Sequence, residues 1–336
     1  ITPKGRFAAT LVFPLAVTAF EYLGEGPLGS FGASAYSQYG WLSLMQVAAV
    51  TGLIGIAFLV AWFASAANYV WENGFDWRVS ARGVATFGGV LVVVLGFGFA
   101  RLWLPADADT DVNVVGITVD ADIPDRDDPG YEAAVAAMHD EYLARTEVAA
   151  AGADIIVWPE GTAYGEPEQT LAFMDASKKL AREHGVYLVV TRGLLPSQPE
   201  DAAQPILEII DPSGEVALSH IKYGGTFQAE DDSFDFMPTR ELQALDTPFG
   251  RIAGIVCWDA DFPDIVSQIS DLDVDLLVIT SNDWYEVRNI HAEMSVFRAI
   301  ENGVPVFRQA RGVSLVTDAY GRVISSTDSF DGVLRQ

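Results

Sequence analysis

The stretch Arg251-Ile-Ala-Gly-Ile-Val-Cys-Trp-Asp-Ala-Asp-Phe-Pro-Asp264 decides how this chain is read. Residues 251–256 form a short apolar run, which predicts a buried strand ending at the thiol of Cys257. A polar turn and a helix start follow, with a proline where the first helical turn favours one. In open α/β sheets such a strand end faces the crevice where ligands bind. Cys257 is the only cysteine, so an internal disulfide is excluded. It is read either as a small packing hydrophobe, the commoner fate of a free cysteine, or as a nucleophile.

The chain around it is uneven. It has 336 residues and a net charge of −26. Residues 112–336 carry 15 Lys/Arg against 39 Asp/Glu, while residues 1–111 carry five against seven. A phosphate backbone would be repelled by that acidic part, which excludes nucleic acid as a partner. The first third holds three apolar segments, at about 7–23, 44–70 and 83–104. A spanning helix needs about 20 apolar residues, so these predict transmembrane helices in a membrane domain over 1–105. Residues 106–111 read as a polar linker, and 112–336 as a strongly acidic soluble domain.

Charge placement predicts orientation. Lys4 and Arg6 precede the first segment, and Arg78 and Arg82 fall in the expected loop between the second and third. The positive-inside rule puts both in the cytoplasm and carries the acidic domain to the extracytoplasmic side of a multi-pass cell-membrane protein. Trp41, Trp71, Trp77 and Trp103 sit near the helix ends, as an interfacial belt would place them. The chain starts at Ile1, which predicts processing or further helices upstream.

Beyond the linker, strands are predicted over 112–119, 154–158, 186–191, 206–210, 216–222, 251–256, 274–280, 304–307 and 314–317. Helices are predicted over 131–151, 167–184, 264–270 and 290–302. This alternation indicates a layered α/β domain. Three strands end in a reactive group: Glu160 after Ile-Ile-Val-Trp-Pro, Lys222 after Ala-Leu-Ser-His-Ile, and Cys257. A thiol needs a base for its proton and donors for an oxyanion. Taken singly, Glu160 also reads as a turn cap and Lys222 as a solvated strand end. His220 alternates with Lys222 on one strand and is a rival base. His139, His184, His220 and His291 show no metal-ligand spacing, so neither a metal nor another cofactor is expected.

These residues resemble the nitrilase, or carbon–nitrogen hydrolase, superfamily. The resemblance rests on Trp-Pro-Glu160, Lys222, Cys257-Trp-Asp-Ala-Asp-Phe-Pro263 and Ser281-Asn-Asp-Trp284. Arg298-Ala-Ile-Glu301, Gly303, Pro305, Arg308, Gly312 and Asp318-Ala-Tyr-Gly321 add to it. It implies an αββα sandwich with a Glu–Lys–Cys triad: Glu160 as base, Lys222 as oxyanion partner, Cys257 as nucleophile. Glu230 would be a second acid, and Trp258, Asn282 and Trp284 would contact substrate. Phe20-Glu-Tyr-Leu23 and Tyr36-Ser-Gln38 resemble the membrane helices of apolipoprotein N-acyltransferases. That likeness implies transfer of an acyl chain from a phospholipid, through a cysteine thioester, to the N-terminal amine of an apolipoprotein. The alternative is a membrane-anchored amidase acting on a small amide. A catalytically inactive scaffold is a third reading. Two stretches depart from the family pattern: Tyr223-Gly-Gly-Thr-Phe-Gln228 after the lysine, and Trp258-Asp259 after the cysteine.

Overall fold

Residues 7–104, 110–194, 204–223, 240–331 and 333–335 are described by a computed structural model. The apolar segments form α1 (Val12–Leu28), α3 (Ala48–Glu72) and α4 (Trp77–Leu102), with the short α2 (Leu42–Met45) before α3. Three stretches, Phe7–Glu25, Ala48–Glu72 and Trp77–Leu102, are long and apolar enough to cross a membrane, with mean hydropathy of 1.5, 2.0 and 2.1. Their outer faces remain apolar, with Phe20 80% and Val92 71% exposed, a surface suited to lipid and not to water. α4 begins at Trp77, earlier than position 83, because Asp76 caps it by accepting the Arg78 N–H at 2.9 Å. Arg78 and Arg82, expected in a loop, therefore lie on the first turns of α4.

α5 (Tyr131–Ala149), α6 (Pro167–His184), the short α7 (Pro263–Val266) and α8 (Gln268–Asp271), and α9 (Arg288–Asn302) belong to the acidic part. Its strands are β1 (Val114–Gly116), β2 (Ile155–Val157), β3 (Tyr187–Leu194), β4 (Gln204–Ile210), β5 (Val216–Ile221) and β6 (Ala244–Thr247). The series continues with β7 (Gly250–Val256), β8 (Leu276–Asn282), β9 (Val306–Arg311), β10 (Val313–Thr317), β11 (Val323–Asp328) and β12 (Val333–Arg335). Among the described residues they form one sheet ordered β1-β2-β3-β4-β5 and one ordered β12-β11-β10-β9-β8-β7-β6. β1, β2 and β3 run parallel, as do β7, β8 and β9.

Alternation along the strands makes the layers. Ile155 and Val157 join Val189, Leu207, Ile252, Val256 and Val278 in the core between the sheets. Ile156 and Trp158 point the other way, into a cluster with Phe173 and Met174 of α6. Ala253, Ile255, Leu277 and Ile279 likewise face Ile265 and Ala299. The result is the expected αββα sandwich, with strands buried on both faces. Gly254 lets Leu207 of the facing sheet pack closely: a Cβ there would come within 2.6 Å of the Leu207 side chain.

The membrane helices pack on the sandwich through α9, where Met45, Leu53 and Ile56 share a core with Met294, Phe297 and Ile300. α3 is kinked at Gly52, whose φ of 63° breaks the helical ladder. The freed N–H of Leu53 donates to Glu301 Oε1 at 3.1 Å. Arg298, fully buried, contacts Glu301 Oε2 at 3.1 Å and donates to the Tyr36 hydroxyl at 3.2 Å. Tyr36 in turn bonds Ser30 Oγ at 2.7 Å.

Candidate active site

Glu160 follows β2 on a turn fixed at both ends. The Trp158 indole donates to Thr146 Oγ1 (3.0 Å), and the Thr162 hydroxyl donates to the Pro159 carbonyl (2.6 Å). Lys222 follows β5, its N–H donating to the Pro205 carbonyl at 2.9 Å. Its ammonium donates to Glu160 Oε1 at 2.7 Å, and both side chains are almost buried. Cys257 directly follows β7 and opens a 3-10 turn, with φ at 49°, a left-handed conformation that costs a non-glycine residue of order 1–3 kcal/mol. That turn places the half-buried Cys257 at the mouth of the parallel strands.

Asp259 joins two of these strand ends. Fully buried, it accepts the backbone N–H groups of Tyr223 (2.8 Å) and Val256 (3.1 Å) and pairs with His220 Nε2 at 2.8 Å. Residues on both sides of Lys222 are thereby tied to the cysteine turn. His220, the rival base, is engaged by Asp259.

A second acid–base system lies on the other side of the thiol. Asp283 Oδ1 meets His291 Nδ1 at 2.8 Å and accepts the Ser281 hydroxyl at 2.9 Å. Arg308 donates to Asp283 Oδ2 at 2.7 Å and to Ser281 Oγ at 2.9 Å. Ligand atoms of Cys257, Asp283 and His291 lie within 4.8 Å of one another. In the sequence Asp283 and Arg308 stand only inside family motifs, and no spacing marks His291. The usable signal was an aspartate directly beyond a buried strand, the same signal that marks Glu160. Such a group could also offer ligands to a metal ion. However, the Arg308 guanidinium and the Asp283–His291 bond occupy the positions a cation would need, so the arrangement suits proton handling better.

Burial and the charge of Glu160 push the Cys257 thiol up to about 12 despite the opposing Lys222. At neutral pH the resting sulfur is therefore protonated. Burial acts to lower Lys222, but the Cys257 thiolate, once formed at high pH, and the Glu160 carboxylate outweigh it and hold the ammonium above its ordinary range. Burial also opposes ionisation of Asp283, yet Arg308 and His291 bring its carboxyl down to about 2.

Asp261 behaves oppositely. It is 1% exposed, neither carboxylate oxygen has a hydrogen-bond partner, and His291 Nε2 stands 3.8 Å away. Burial pushes its carboxyl up to about 6, against the pull of His291, Arg298 and Arg308. The native state thus holds a proton that the unfolded chain has lost, so stability falls as pH rises from about 4 to about 6. Asp261→Asn should remove that slope: its melting temperature gains on wild type as pH is raised from 4 to 8. A difference that stays constant with pH would refute the assignment.

The other expected contacts are dispersed. Asn282 lines a polar cavity of about 200 Å³ with Glu160, Thr162, Tyr164 and Arg311. Trp258 packs beside Phe31 of the membrane part at 6.1 Å between ring centroids. Trp284 is 63% exposed at the surface. Glu230 lies outside the described residues.

A central thiol on a strained strand-end turn, flanked by two acid–base pairs in an αββα sandwich, defines the class: a cysteine-centred enzyme fold. Residues 128–334 match the family described as Carbon-nitrogen hydrolase, and residues 3–66 match the Apolipoprotein N-acyltransferase N-terminal domain. The chain belongs to the carbon–nitrogen hydrolase family, with an N-terminal membrane part of the second type. An apolipoprotein N-acyltransferase of Geobacter metallireducens is 30% identical over 95% of this chain and 66% of its own length. One of Bradyrhizobium diazoefficiens is 27% identical over the same shares, 95% and 66%. The chain thus spans about two-thirds of the length of these relatives. An amidase from Nesterenkonia sp. shares the fold, with a TM-score of 0.54 and 19% identity over 68% of this chain and 90% of that one.

These findings correct the expected activity. The thiol is not served by Glu160 and Lys222 alone, because Asp283 and His291 close on it to form a Cys–Asp–His cluster. The cavity at Glu160, which Asn282 and Arg311 share, is small and polar. The expectation of an N-acyltransferase that passes a phospholipid acyl chain to a lipoprotein amine, with Glu160, Lys222 and Cys257 as its complete triad, is replaced by the alternative reading, in which Asp283 and His291 share the thiol.

Proposed function

We propose that this protein is a membrane-anchored carbon–nitrogen hydrolase that cleaves a small amide at Cys257. The observation that carries the reading is the thiol within 4.8 Å of the Asp283–His291 pair on a strained strand-end turn. In crystal structures of the Nesterenkonia amidase, acrylamide or the acetamide moiety of fluoroacetamide is attached at the active site cysteine. Those adducts, formed in variants of that amidase, mark its cysteine as a nucleophile, and a nucleophile's role is assigned to Cys257, with an amide carbonyl as its target.

The roles follow from charge state. Asp283, held ionised by Arg308 and His291, is too weak a base to take the thiol proton. Glu160 accepts it as sulfur attacks the amide carbonyl, then delivers it to the departing nitrogen, which leaves as ammonia. Lys222 orients Glu160 and donates to the oxyanion. Water then attacks the acyl carbon, Glu160 takes its proton, and the carboxylic acid leaves as sulfur is reprotonated. Asp283 and His291 hold a fixed dipole beside the sulfur. Glu160→Gln should cut ammonia release at least 100-fold and Asp283→Asn at least tenfold, measured with the full chain in detergent. Failure of the unaltered protein to release ammonia from any short amide would overturn the reading.

The bilayer is the partner assigned to the helices of residues 1–105, and residues 112–336 are assigned the chemistry. Lys4, Arg6, Arg78 and Arg82 support an extracytoplasmic active site. A thiol introduced as Thr327→Cys, at an exposed position, should react with an impermeant maleimide in intact cells carrying Cys257→Ser. Protection there, with labelling after lysis, would reverse the orientation.

A further inference from the structure

We propose that the cavity beside Glu160 selects an amide whose far end carries a carboxylate, received by Arg311. This rests on the amidase reading and names its substrate class. Arg311 ends β9, and its carbonyl accepts the Asp283 N–H at 2.9 Å, so its backbone is anchored to the site. Its side chain lines the same cavity as Glu160 and Asn282 and, among the described residues, is the only cation to do so.

The pairing of most other arginines sets this position apart. Residues 112–336 hold 39 acidic side chains against 15 basic ones. Among the described residues, nine arginines of that part lie within 4.0 Å of a carboxylate. Among the described residues, neither Arg311 nor Arg182 has such an ion pair, and of the two only Arg311 lines the cavity. Its described neighbour is the Phe330 ring, 5.7 Å from the guanidinium carbon, which leaves the donor fork available. A planar fork of that kind suits bidentate recognition of a carboxylate. The cavity of about 200 Å³ accommodates a chain of a few carbons between the two ends. Asp122 on the wall opposes a second negative charge, which favours a single carboxylate over a phosphate.

Butyramide and succinamate test this cleanly, since a carboxylate replaces the terminal methyl at equal length. The full chain in detergent should hydrolyse succinamate with kcat/KM at least tenfold above butyramide. Arg311→Gln should bring that ratio to within about threefold of unity, mainly through KM, and Arg311→Lys should restore part of it. A second arm uses binding alone: Cys257→Ala protein should bind succinamate at least tenfold more tightly than butyramide by calorimetry, and adding Arg311→Gln should erase the difference. Equal handling of both amides, or a preference untouched by Arg311→Gln, overturns the proposal. If neither amide is turned over, the amidase reading fails, and the binding arm still decides whether Arg311 receives an anion.

Discussion

Replacing Cys257 with alanine is expected to lower amide hydrolysis by about 10⁴-fold or more while the protein stays folded. The size of the effect follows from losing the nucleophile: without the sulfur no acyl intermediate forms, so Glu160 has no thiol proton to move and Lys222 no oxyanion to receive. The fold survives because the change removes one atom from a half-buried residue and keeps the left-handed turn. Cys257→Ser is a stricter control. It restores an attacking oxygen, but one far harder to deprotonate than a thiol already pushed up to about 12. Ammonia release and thermal melting of the same preparations check both statements. An alanine variant retaining more than about a hundredth of wild-type activity would remove Cys257 from the chemistry.

The largest stability effect is expected at Arg308. It is 1% exposed and bonds Asp283, Ser281 and the Val313 carbonyl. Arg308→Met fits the volume but strands the Asp283 carboxylate in the interior, a change that costs about 3–5 kcal/mol. The pH dependence carries a definite sign. Asp283 is depressed to about 2 in the native state, so its contribution is present above pH ~4 and is lost as pH falls toward 2. Without the guanidinium its carboxyl titrates higher, so the deficit of Arg308→Met should narrow as pH is lowered from 7 to 4. Adding Asp283→Asn should recover part of the loss at pH 7. Unfolding in detergent micelles across that range checks it. A deficit below about 1 kcal/mol, or one constant with pH, would show that the pair is not the keystone of this wall.

What the sequence revealed, and what it hid, follows from burial. Glu160, Lys222 and Cys257 each close a run of apolar residues, so a change of polarity announced them. α6 was readable at both ends, from Pro167 at its start and Gly185 after its end. β6, β11 and β12 were not: they are edge-side strands with mixed polarity, and Val323 and Ile324 of β11 are exposed. The start of α4 was missed because Arg78 and Arg82 interrupt the apolar run, although Asp76 was a usable cap signal. His291 was hidden for a different reason. It lies on α9, eight residues from Asp283 along the chain, and only packing of α9 against the β8 end brings them together. Separation in sequence carried no trace of that contact.

The kink in α3 sets an order of events during synthesis. The Leu53 amide freed at Gly52 is made 248 residues before the Glu301 carboxylate that accepts from it. A helix lodged in a bilayer with a bare amide is incomplete, because hydrocarbon offers it no substitute partner. At ~5–20 residues per second, that vacancy persists for roughly 10–50 seconds of translation. Docking of α9 supplies that partner, and the membrane helices and the sandwich then share one core. Expressed without residues 1–105, the remaining chain would present the Met294, Phe297 and Ile300 face uncovered and with it a ready surface for aggregation.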